Sequence, residues 1–98
     1  MMNRFRGNGI YLLDEPEAAL SPTTQMSMLC ILKELEKLDS QFIIVTHSPI
    51  LLAYPNSDIY EFDEGGIEKK GYKETESYLV TKSFLDNPEQ MINLLFEK

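Results

Sequence analysis

Two short, uninterrupted apolar runs with a helical pattern between them constrain this chain more than any other feature. The first, Ile10-Tyr11-Leu12-Leu13, lies between Gly9 and Asp14-Glu15-Pro16. An unbroken run of this length suits a strand buried on both faces. The second, Phe42-Ile43-Ile44-Val45, sits inside a strand predicted over residues 41–46. Between them, Ser21-Pro22 reads as a helix start, with Ser21 as N-cap and Pro22 at the first helical position. Met28, Leu32 and Leu35 recur at helical spacing up to about residue 38, while Lys33, Glu34, Glu36 and Lys37 take the remaining surface. Met26, Leu29 and Ile31 widen the apolar stripe, so the helix is expected to be covered on more than one side. Strand, helix and strand within about 37 residues form a βαβ unit, which implies a parallel pair with a right-handed crossover.

Beyond His47-Ser48-Pro49, residues 50–53 read as one or two helical turns ended by Tyr54-Pro55. Residues 58–62 alternate as a third strand, Glu64-Gly65-Gly66 as a turn, and residues 67–72 as its hairpin partner. Two short helices are predicted over residues 75–85 and 88–97, with Pro88 opening the second. The fold class is therefore α/β: a small parallel sheet from one βαβ unit, plus a C-terminal hairpin and helices. Three strands leave a sheet face and an edge uncovered. The one-sided C-terminal helices would pack on further sheet or self-associate.

Composition narrows the function classes. The chain has 98 residues, 43% apolar and 26% charged, which describes an ordered domain rather than a disordered one. No apolar run approaches the roughly 18 residues needed to span a bilayer. The basic residues near the start have no apolar segment behind them, so a signal peptide is not read, and a cytoplasmic protein is expected. A net charge of −7 argues against direct nucleic-acid binding by this segment. The single cysteine, Cys30, is read as a buried thiol within the apolar helix. The tyrosines and phenylalanines are read as packing, and the acidic excess as solvated surface.

The chemistry-bearing residues follow the strands. In open parallel sheets, ligands bind outside the carboxyl ends of the strands. Asp14 and Glu15 follow the first strand and His47 the second. Neighbouring strands lie about 4.8 Å apart, so all three would emerge on one sheet edge. Two carboxylates and an imidazole there could serve metal-assisted phosphoryl transfer, with Asp14 at Mg²⁺, Glu15 on the attacking water and His47 on the phosphate. Taken singly, each also fits a plain role: acidic residues are common in solvated loops, and a histidine after a strand is often a surface residue.

Ile10-Tyr11-Leu12-Leu13-Asp14-Glu15-Pro16 resembles the Walker B motif of ABC-type ATPases. Glu17-Ala18-Ala19-Leu20-Ser21-Pro22 occupies the place of their D-loop, and Ile43-Ile44-Val45-Thr46-His47-Ser48 resembles their switch region. The resemblance covers residues 9–52. It implies a partial P-loop NTPase-like fold, with residues 1–98 the C-terminal portion of an ABC-type ATPase domain. It further implies that Asp14 is the Mg²⁺-associated aspartate, Glu15 the catalytic glutamate and His47 the switch histidine that senses the γ-phosphate of ATP. Ala19, Leu20 and Ser21 would lie where the D-loops of two subunits meet, which makes a second ATPase subunit, as a homodimer, the expected partner. Membrane-linked or DNA-linked partner chains are left open.

The family pattern is incomplete. No G-x-x-x-x-G-K-[ST] loop occurs in the 98 residues, so nothing here supplies the amides and lysine that cradle the β- and γ-phosphates. The signature motif is also absent, and residues 3–8 are read as the end of a preceding helix. The D-loop lacks the aspartate after Leu20 that many transporter ATPases carry. Two other functions compete: a nonenzymatic interaction module on an ABC-like scaffold, and a small metal-dependent phosphoesterase built on Asp14, Glu15 and His47.

Overall fold

The apolar runs form strands where the sequence places them, but they are covered on one face only. The computed structural model describes residues 2–4 and 9–97. They divide into two units, one ending at Pro55 and the other beginning at Asn56.

The first unit is built on a three-stranded sheet. Strand β1 (Met2–Arg4) pairs antiparallel with β2 (Ile10–Asp14), and β2 pairs parallel with β3 (Gln41–Val45). Helix α1 (Pro22–Glu36) connects the parallel pair, as the βαβ reading requires. Asn3 and Arg4 belong to β1, which corrects the expected helix end: they bond along the free side of β2. The rest of that expectation, residues 5–8, lies outside the described residues.

Parallel register puts Tyr11 opposite Phe42 and Leu13 opposite Ile44. Side chains alternate along a strand, so these four share the face that meets α1. The Tyr11 and Phe42 rings stack with centroids 5.4 Å apart. Leu32 from α1 closes the core with Tyr11 and Leu13, and Met28, Leu35 and Tyr54 pack around them. Leu13 and Leu32 are 1% and 2% exposed, so each contributes roughly 1.5–3 kcal/mol of burial. Gly9 opens β2 at φ +73°, where a Cβ would stand 2.8 Å from the Ser40 hydroxyl oxygen. Only glycine fits there.

The opposite parity is largely exposed; of its apolar residues in β2 and β3, Leu12 alone is half-buried. Ile43 and Val45 are 54% and 50% accessible, and Ile10 is also exposed. Burial on both faces therefore does not hold for these strands. Likewise α1 is covered on one side: Met26 and Ile31 are exposed, and so is Cys30. Cys30 lies two residues from Leu32, about 200° around the helix, so it points away from the sheet rather than being buried as expected.

Sequence-level signals for α1 do hold. Ser21 accepts a hydrogen bond from the Thr24 amide at 3.2 Å, and Pro22 occupies the first turn. A single 3-10 turn, Leu51–Ala53, follows the β3 loop.

The second unit holds the antiparallel hairpin β4 (Ile59–Asp63) and β5 (Gly66–Lys70), then helices α2 (Glu76–Asp86) and α3 (Pro88–Phe96). Asp63 faces Gly66, so Glu64 and Gly65 make the turn. Thr75 caps α2 by accepting from the Tyr78 amide, and its hydroxyl donates to the Tyr72 carbonyl at 2.8 Å. The Glu61 carboxylate receives the Glu76 amide and the Lys70 ammonium, which hold it below the usual carboxylate range. Among the described residues, no helix is long and apolar enough to cross a membrane.

Candidate functional site

The site grows from the carboxyl ends of β2 and β3. Their last registered pair is Asp14 opposite Val45, and the ladder continues one step as the Glu15 amide donates to the Val45 carbonyl at 2.7 Å. Asp14-Glu15 and Thr46-His47 therefore leave the sheet at the same edge, as the strand-end argument predicts. Asp14, Glu15 and His47 are all exposed.

Glu15 departs from ordinary backbone geometry. Its φ and ψ are 48° and 55°, in the left-handed region. The other described non-glycine residues with positive φ are Asp39 and Asn56, whose short polar side chains tolerate it. A glutamate gains no such relief, and residues held in this region concentrate at functional sites. The left-handed kink turns the chain into a 3-10 turn, Pro16–Ala19, seated on the buried Pro16 ring.

That turn carries a residue the sequence reading passed over. Glu17 accepts from the Thr46 hydroxyl at 2.6 Å and from the His47 amide at 3.1 Å, one carboxylate oxygen to each. Partial burial pushes this carboxyl upward. The bonds from Thr46, its own amide and His47, with the nearby imidazole, outweigh burial and hold it below the usual value. No local pattern marks Glu17, because both partners lie about thirty positions away in sequence.

A second connection runs through α1. Gln25 donates to the Leu20 carbonyl at 3.1 Å and accepts from the Ser48 hydroxyl. The Ser48 oxygen in turn accepts from the amides of Ile50 and Leu51 at 3.2 and 3.1 Å. Gln25 did leave a signal: it stands on the Met28, Leu32, Leu35 stripe, a polar residue where the pattern calls for an apolar one. Ala19 and Ser21, expected at a subunit contact, are exposed; Leu20 is half-buried, and its carbonyl is taken by Gln25.

Mg²⁺ is held in phosphoryl-transfer sites through one or two carboxylates, water and substrate phosphate, not by a closed protein cage. Among the described residues no three His, Cys, Asp or Glu side chains gather as a metal cluster. The exposed Asp14 carboxylate at the strand end fits the one-carboxylate arrangement.

The structure is α/β, with a parallel pair that carries an acidic dipeptide at one strand end and a histidine at the other. A family model described as "AAA domain, putative AbiEii toxin, Type IV TA system" matches residues 4–53, 50 of the 98 residues, and the chain belongs to that family. The matched region falls within the first unit and contains Asp14, Glu15, Glu17 and His47. Membership places the chain among nucleotide-binding domains. Neither a curated protein nor a solved structure matches the sequence.

Proposed function

We propose that this chain is the C-terminal portion of a cytoplasmic ABC-type ATPase domain, supplying its Mg²⁺-associated aspartate, catalytic glutamate and switch histidine. The observation that carries the reading is the register of β2 on β3, which delivers Asp14-Glu15 and His47 to one edge, with Glu15 in a conformation that glutamate does not favour.

Asp14 would hold Mg²⁺, and the ion when bound supplies charge neutralisation at the β- and γ-phosphates. Glu15 accepts a proton from the water that attacks the γ-phosphorus as the bond to the ADP oxygen breaks. His47 donates to a γ-phosphate oxygen, which orients the phosphate and senses its presence. The 98 residues contain neither a phosphate-binding loop nor a signature motif, so ATP hydrolysis by the chain alone is not expected and another polypeptide segment would have to supply them. Ala19, Leu20 and Ser21 would meet the D-loop of a second copy. The family's description names a toxin of a type IV toxin–antitoxin system, which makes growth inhibition a suitable cellular readout.

A second reading, a nonenzymatic interaction module on the same scaffold, draws on the uncovered apolar face formed by Ile10, Ile43 and Val45. One experiment separates the two. In the intact protein, Glu15→Gln abolishes ATP turnover while nucleotide binding persists. Unaltered turnover would overturn the catalytic role of Glu15, and absence of turnover in the wild-type protein would overturn the ATPase reading. Loss of turnover with full cellular activity would favour the interaction module.

A further inference from the structure

Glu17 is committed on both sides, and its commitments are specific. One carboxylate oxygen takes the Thr46 hydroxyl, 29 residues away; the other takes the backbone amide of His47, 30 residues away. Strand β3 has ended at Val45, so the sheet ladder does not engage the His47 amide. The Thr46 oxygen also accepts the Ser48 amide at 3.0 Å. Thus the residue before His47 and the residue after it are joined to the carboxylate that binds His47 itself.

The other end of the link is equally defined. Glu17 stands in the turn opened by Glu15 and closed by two backbone bonds, Ala18 amide to Glu15 carbonyl at 3.1 Å and Leu20 amide to Glu17 carbonyl at 3.0 Å. Ala18 and Ala19 on the same turn are exposed. A contact that displaces this turn cannot leave the His47 loop in place without breaking charge-assisted hydrogen bonds, the stronger class.

We propose that Glu17 is a positioning residue for His47, its carboxylate coupling the turn Pro16–Ala19 to the loop that carries the histidine. The role assigned to His47 rests on the ATPase reading above; the link itself does not. Both Glu17 carboxylate oxygens are taken by the loop, and Glu17 acts through it. Its loss alters how His47 is presented at the moment of hydrolysis, with little effect on how tightly nucleotide binds.

The test has two parts. In amide-exchange NMR of the chain, the His47 amide is protected, and Glu17→Gln, which keeps one acceptor but loses the second, speeds its exchange about tenfold or more. In the intact protein, Glu17→Gln lowers kcat for ATP about tenfold with KM unchanged within about twofold. Thr46→Val moves kcat in the same direction, and Thr46→Ser, which keeps the hydroxyl, retains the wild-type value. Thr46→Val also serves if Glu17→Gln does not fold. A wild-type His47 amide that exchanges freely overturns the link. So does an unchanged kcat for Glu17→Gln where Glu15→Gln is inactive. By contrast, an intact wild-type protein that turns over no ATP, with the His47 amide still protected, overturns the ATPase reading and leaves the link in place.

Discussion

Removing the Ser48 hydroxyl tests whether the loop after β3 is anchored as described. The Ser48 side chain is 5% exposed and its oxygen makes three hydrogen bonds: from Ile50, from Leu51 and to Gln25. Ser48→Ala removes all three and fills nothing. The Leu51 bond is buried, so its amide cannot turn to water and costs about 1–3 kcal/mol. Ile50 and Gln25 are only half-buried, and water partly replaces the lost partner, at about 0.5 kcal/mol each. The expected loss is about 2–4 kcal/mol in the first unit. Urea denaturation followed through the methyl resonances of Leu32 reads that unit alone, and an unchanged slope confirms that the same surface unfolds. A loss below about 0.5 kcal/mol, with the Ile50 and Leu51 amides still protected, would refute the anchoring role.

Other outcomes follow from individual residues. Glu15→Gly relieves the left-handed strain of about 1 kcal/mol against a comparable glycine entropy cost, so stability holds or rises slightly while hydrolysis in the intact protein is lost; thermal denaturation showing a clear loss would contradict this. Leu32→Ala empties the centre of the Tyr11–Leu13–Leu32 core and costs about 2–5 kcal/mol by urea denaturation; a loss under about 1 kcal/mol would mean that α1 is not seated on the sheet. The Glu17 carboxyl titrates below its ordinary value of 4.5 in the folded chain. Its contribution to stability is therefore complete above that value and is lost as pH falls through the lowered folded value. The carbon shift of the Glu17 carboxyl, followed from pH 7 downward, should reach its midpoint below 4.5; a midpoint at or above 4.5 would remove the charge-assisted bond.

What the sequence determines here is local or periodic. Uninterrupted apolar runs identify β2 and β3, Ser21-Pro22 starts α1, Glu64-Gly65 turns β4 into β5, and Pro88 opens α3. Each signal lies within a few residues of the element it specifies, because backbone propensity, capping and turn formation act at that range. The emergence of Asp14, Glu15 and His47 at one edge is also legible, since a parallel βαβ unit leaves little choice.

Tertiary structure decides what depends on register and on covering layers. An apolar run does not reveal which faces find a partner, so Ile43, Val45 and Cys30 read as buried in sequence and stand exposed in the fold. Glu17 acquires its role only when β2 and β3 align so that the turn after one reaches the loop after the other. Gln25 gains its partners only when α1 lies back across the sheet. Hydrogen bonds across about twenty to thirty residues depend on where whole elements come to rest, and no window of sequence records that.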